Sequence, residues 1–189
     1  MKTGMARVIK NKTESDRVIL ERGLNRLSSE VFSQGEVERL KKYLNETDFE
    51  YYNIREKKAS SGSFKYKLTK EQVIQESKDF QIFSVHESLA GVDDKLILQG
   101  EIYIDADWVM VASLSTVKNI PNREAMKKPE YTIEVDLKSC REPNIDGLTE
   151  VIDYIVGKEL IGMVVEFSLF EDRVGVNNEN IIIWELRNY

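Results

Sequence analysis

The residues of this chain whose types and spacing could do chemistry lie first in "YTIEVDLKSC", residues 131–140, where strict alternation puts Glu134, Asp136 and Lys138 on one side of a strand. Two carboxylates and an ammonium at this spacing can hold a hard cation such as Mg2+ through oxygen ligands and orient a water molecule beside it. Asp105 and Asp107, upstream in "DAD", could complete the ligand set. Half-burial alone produces the same pattern, because Ile133, Val135 and Leu137 take the core side and leave the charges to solvent.

Asp136-Leu137-Lys138, with Glu134 before it, is similar to the motif of metal-dependent nucleases of the restriction-endonuclease-like class. That resemblance implies catalytic roles for Glu134, Asp136 and Lys138 and an Mg2+ ion held by Asp105, Asp107, Glu134 and Asp136. The two upstream acids also flank a tight turn, where Asp is favoured because its side chain bonds the nearby backbone. Glu166 stands apart from this set. It interrupts the apolar run "GMVVEFSLF", so it either emerges at a sheet edge or is a paired, functional carboxylate.

A second candidate surface is "FEYYNIREKKASSGSFKYKL", residues 49–68, two alternating runs around a Ser/Gly-rich turn. Alternation assigns Tyr52, Ile54, Phe64, Tyr66 and Leu68 to one face. The other would carry Tyr51, Arg55, Lys57, Lys58, Lys65 and Lys67, cations that neutralise phosphates beside an aromatic ring that can stack on a base. A merely solvated face has the same composition.

Other chemistries are excluded. His86 is the one histidine and Cys140 the one cysteine, so neither a zinc site nor an internal disulfide can be assembled. A His86–Cys140 nucleophilic pair is formally possible, but "KSCREPN" lacks the glycines of an oxyanion pocket. Neither a P-loop nor a dinucleotide fingerprint occurs. The amino-terminal stretch has no apolar run of a secretory signal, and no segment reaches the ~18 apolar residues of a membrane span, which together with the lone thiol implies a soluble, cytoplasmic protein without membrane contact.

The elements that would position these residues follow from periodicity. Val18, Ile19, Leu24 and Leu27, then Val37, Leu40, Tyr43 and Leu44, recur at helical steps and predict two helices meeting near Gly35, the second capped by Ser33 with Glu36 as box partner. The hairpin comes next, then a short helix capped by Thr69 with Gln72, a strand in "FQIFSVHE", and a hairpin joining "KLILQGEIYID" to "WVMVASLS" through "DAD". A proline-bracketed turn of helix precedes residues 131–140. "NIDGLTEVIDYIVGKEL" places Leu148, Val151, Ile152, Ile155 and Leu160 on one stripe, and two strands, "IGMVVEFSLF" and "NIIIWELRNY", follow with Trp184 as a core residue.

Clustered strands with one long helix predict an α+β fold: one mixed or mainly antiparallel sheet, a long helix of the carboxy-terminal half on one face, and a helical amino-terminal segment. Residues 1–70 carry 16 Lys+Arg against 10 Asp+Glu and residues 71–189 carry 11 against 23, balances of +6 and −12. The shift suggests a basic helix pair plus hairpin at 1–70 and an acidic sheet domain at 71–189.

The leading functional reading is a non-catalytic binding or regulatory module without a cofactor, contacting nucleic acid or an acidic macromolecule through its basic region. A second is the Mg2+-dependent nuclease. A third is an acidic inhibitor or antitoxin-like protein partner. Oligomeric state is not legible.

Overall fold

The computed structural model describes residue 9 and residues 12–47, 49–57, 63–139 and 143–189. In chain order the elements are α1 (Lys12–Glu21), β1 (Ser29–Ser33), α2 (Val37–Thr47), β2 (Tyr52–Glu56), β3 (Phe64–Leu68), α3 (Lys70–Glu76), β4 (Ile82–Glu87), β5 (Leu96–Ile104), β6 (Val109–Ser115), α4 (Asn122–Ala125), β7 (Tyr131–Asp136), α5 (Leu148–Gly157), β8 (Met163–Val174) and β9 (Glu179–Asn188). The architecture is α+β, with antiparallel strand pairs throughout the described residues. It forms two sheets where one was expected, ordered β1-β4-β2-β3 and β7-β6-β5-β8-β9. The chain divides into two compact units, Met1–Arg26 with Asp94–Tyr189, and Leu27–Asp93, so residue 70 lies inside the second unit.

In the unit Leu27–Asp93, the residues expected to end a first helix instead form β1, which pairs with β4 from Ser29 opposite His86 to Ser33 opposite Ile82. A turn then leads into α2. Glu36 N–H donates to the Ser33 carbonyl at 3.1 Å, and Gly35 at φ 97° supplies the left-handed residue of a type II turn. Glu36 reaches back as a box partner should, accepting from Ser33 N–H at 2.6 Å. The Thr69 cap forms with both halves of its box, Gln72 N–H to the Thr69 hydroxyl and Thr69 N–H to Gln72 Oε1. The core gathers Phe32, Leu40, Leu44, Tyr52, Ile54, Val73, Phe83 and Val85.

In the other unit, the core face of the five-stranded sheet presents Leu98, Ile102, Met110, Leu114, Val165, Phe167 and Ile183 to the stripe Leu148, Val151, Ile152 and Ile155 of α5 and to Val18 and Ile19 of α1. The long helix of the sequence reading is shorter than expected, ten residues, and α2 has eleven. The start of α5 is fixed by Gly147, whose φ of 76° would strain any other residue and whose Cα lies where a side chain would press on Leu169. Among the described residues no helix is long and apolar enough to cross a membrane.

Candidate functional site

Two of the acids proposed from residues 105–138, Asp105 and Asp136, are engaged in local turn chemistry. Asp105 Oδ1 accepts from the N–H groups of Asp107 and Val109, both at 2.8 Å, closing the β5–β6 turn. Asp136 Oδ2 accepts from the Ser139 hydroxyl and Oδ1 from Lys138 N–H, each at 2.8 Å. Those bonds, the Ser139 hydroxyl foremost, hold the Asp136 carboxyl below its ordinary range. Glu134 sits opposite Val111 on β7, an edge strand, where outward charge discourages further strand pairing. Among the described residues no three His, Cys, Asp or Glu side chains come together to hold a metal ion. Cys140 lies outside the described residues.

The cations of the first hairpin do not share one face. Register sets Arg55 opposite Phe64 and Ile54 opposite Lys65, with an irregularity between Tyr52 and Ile54 that alternation could not reveal. Phe64 and Tyr66 are therefore on the outward side with Arg55. Lys65 is on the side of Ile54, where it pairs with Glu76 of α3 at 3.4 Å. Lys67 has its Nζ over the Tyr51 ring at 5.1 Å and a φ of 56°. Lys57 is exposed beyond the end of β2, and Lys58 lies outside the described residues.

A different set of charges does converge. On the five-stranded sheet, register places Glu101 of β5 opposite Glu166 of β8, and Glu166 opposite Glu185 of β9. Three carboxylates thus stand side by side on the face turned away from α5. The row continues through Ser113 of β6 to Thr132 of β7. Like charges directly opposite one another in a sheet oppose folding, so such a row has no structural benefit of its own.

Glu185 reaches this row through a bulge. Glu166 pairs with Glu185 but Phe167 pairs with Ile183, leaving Trp184 as the extra residue. Ile183 and Leu186 both face the core, while Trp184 and Glu185 both face outward. Trp184 is consequently not a core residue; it is half-buried and donates Nε1–H to the Ser168 hydroxyl at 2.8 Å. The slip was written in the sequence, where the apolar phase Ile181, Ile183 resumes at Leu186, one residue late.

Two cations partly neutralise the row. Lys12 Nζ lies 3.3 Å from Glu185 Oε2, and Arg187 Nη2 lies 2.5 Å from Glu101 Oε1. The Arg187 ion pair is close but poorly directed, and its Nε and Nη2 are buried without a well-aligned hydrogen bond. Burial pushes the Glu166 carboxyl above its ordinary range. The facing Glu185 and, more weakly, Glu101 push it further, against the opposing pull of Lys12 and Arg187. Beside the row, the Tyr103 and Tyr189 rings stack at 4.2 Å.

No family model matches the sequence, and no curated protein matches it. Solved structures do match in fold. D-alanyl-alanine synthetase A from Vibrio cholerae aligns at TM-score 0.53 and 13% identity over 94% of this chain and 54% of its own. N5-carboxyaminoimidazole synthetase from Staphylococcus aureus aligns at 0.52 and 11% over 95% and 44%. An ADP complex of N5-carboxyaminoimidazole ribonucleotide synthetase aligns at 0.51 and 11% over 95% and 45%. The chain spans about half the length of these proteins, and at such identities the likeness is one of fold alone.

This fold overturns three expectations: the non-catalytic nucleic-acid-binding or regulatory module, the restriction-endonuclease-like nuclease and the inhibitor or antitoxin-like partner. The geometry gives the reasons, since the basic residues are split between two faces of the hairpin, Asp105 and Asp136 serve turns, and Glu134 lies on an edge strand. With an ADP complex among the similar structures, the expectation of a cofactor-free chain loses its support as well.

Proposed function

We propose that this chain is the nucleotide-handling part of a ligase, which binds an adenine nucleotide with Mg2+ on the outward face of its five-stranded sheet. The observation that carries the reading is the row Glu101, Glu166 and Glu185, a concentration of facing carboxylates in a fold shared with synthetases and ligases, one of them an ADP complex.

The residues fit the ion. Mg2+ is commonly held by one or two carboxylates, its remaining positions going to phosphate oxygens and water, so a facing pair suffices without a third protein ligand. Glu166 and Glu185 are that pair, directly opposite across β8 and β9. Three carboxylates against Lys12 and Arg187 leave the row one negative charge in excess, which a divalent cation would offset. When bound, Mg2+ supplies charge neutralisation at the phosphate groups of the nucleotide.

The chain's own groups have separable tasks. Glu166 and Glu185 bind through their carboxylate oxygens, and the bulge at Trp184 keeps Glu185 on the outward face. Arg187 restrains Glu101 and has buried Nε and Nη2 groups without a hydrogen-bond acceptor, donors that an anionic ligand could use.

The test is binding of Mn2+ and ADP by calorimetry and by electron paramagnetic resonance of free Mn2+. Wild-type protein should bind Mn2+·ADP, and Glu166→Gln should weaken that binding by about 100-fold, or about 2.7 kcal/mol. Equal affinity in wild type and Glu166→Gln would remove the carboxylate row from the function.

A further inference from the structure

The outer edge of β9, the side away from β8, is closed by residues 12–25 of the same unit. Asn25 donates Nδ2–H to the Ile181 carbonyl at 2.8 Å, and its own carbonyl accepts from Ile183 N–H at 2.9 Å. Beyond Trp184 the contacts change phase. Lys12 Nζ reaches the Trp184 carbonyl at 3.4 Å, and the Ser15 hydroxyl accepts from Leu186 N–H at 2.7 Å. In a regular strand the outward-facing peptide groups after 181 and 183 would belong to 185. Contacts at 184 and 186 belong to a strand carrying one extra residue.

We infer that Ser15 is a positioning residue for Glu185, selecting the bulged register in which Glu185 stands opposite Glu166. The inference rests on the metal-nucleotide role proposed for that pair. Sliding β9 past the bulge by one residue would exchange Glu185 and Leu186 between the outward face and the core. Ser15 penalises that slip because it is 0% exposed and its acceptor is matched to one buried N–H. Lys12 touches the same segment, but with 45% of its side chain exposed it adds charge and little register selectivity. The selection is exerted from α1, 171 residues away in sequence, on a carboxylate that Ser15 itself need not touch.

The test compares Ser15→Ala, Ser15→Thr and Tyr154→Phe in the full chain, measuring Mn2+·ADP affinity well below the melting temperature and amide exchange at Leu186 by NMR. Ser15→Ala should weaken Mn2+·ADP binding about tenfold, the range typical of residues that orient metal ligands, and speed exchange at Leu186. Ser15→Thr, which keeps the hydroxyl, should restore both. Tyr154→Phe removes the hydroxyl's bonds to Glu179 and to Asn25 N–H, both outside the 184–186 segment, and should lower stability with affinity unchanged. Wild-type affinity in folded Ser15→Ala would overturn the inference, as would a parallel loss in Tyr154→Phe. Should Ser15→Ala not fold, Ser15→Cys, similar in size with a weaker acceptor, takes its place, and wild-type affinity there would also overturn it. Failure of the underlying reading is separate: wild type and Glu166→Gln would then bind Mn2+·ADP alike.

Discussion

On the five-stranded sheet the face turned from its core sets Glu101, Glu166 and Glu185 side by side, while on the four-stranded sheet the outward face shows Val31, Phe64, Tyr66 and Ile82, each between 43% and 49% exposed. Arg55 and His86 share that second face, the latter with its ring 6.1 Å from Phe64. The core sides of both sheets are ordinary, aliphatic and aromatic. Folding therefore dictates one side of each sheet and tolerates the other, and the tolerated sides differ in kind. Repelling charges in the first and wet apolar groups in the second are opposite departures from what stability alone would select.

Breaking the core side should cost most. Phe32→Ala, at a position 1% exposed between Tyr43 and Phe83, should lower unfolding free energy by roughly 3–5 kcal/mol in a urea titration. A smaller and opposite effect is expected on the charged face. Glu166→Gln should raise stability by roughly 0.5–1 kcal/mol at neutral pH, about 1–4 °C in melting temperature, while weakening Mn2+·ADP.

The sign of its pH dependence follows from the raised carboxyl. Folded protein holds the Glu166 proton to higher pH than unfolded chain does, so wild-type stability should fall as pH rises from the ordinary glutamate range through the folded-state value. That decline should be absent from Glu166→Gln; a decline of the same size in both proteins would assign it to another group. Smallest of all is Val31→Thr, the neighbour of Phe32 on the opposite face, which should change stability by no more than about 0.5 kcal/mol. A loss there comparable to that of Phe32→Ala would mean that the face is covered.

Much of the fold was legible where local signals suffice. The Thr69 capping box and the hairpin turn at Asp105 are encoded within a few residues, and both form. β1 was missed because its pairing partner, β4, lies some fifty residues on and nothing in "SSEVFS" outweighs the helical spacing around it. Phe64, Lys65 and Tyr66 of β3 were assigned to the wrong face, while Leu68 was assigned correctly, because an irregularity at Tyr52–Ile54 resets alternation. Glu166 stood out as a carboxylate in an apolar run. Its partners did not, since Glu101 becomes a neighbour only through strand pairing and Glu185 only through a bulge. The DxK-like motif misled for the reverse reason, because turn formation explains Asp105 and Asp136 completely.

The closure of the β9 edge by Asn25 and Ser15 also bears on how the molecule comes into being. Residues 12–25 leave the ribosome ahead of their partners at 181–186, which emerge some 160 residues later. At roughly 5–20 residues per second, α1 waits on the order of ten seconds or more for the strand it seals. The unit Leu27–Asp93 is continuous in sequence and has no such delay. Translation should thus yield a finished four-stranded sheet while the five-stranded one still lacks β9, making the carboxylate row the last part of that sheet to form.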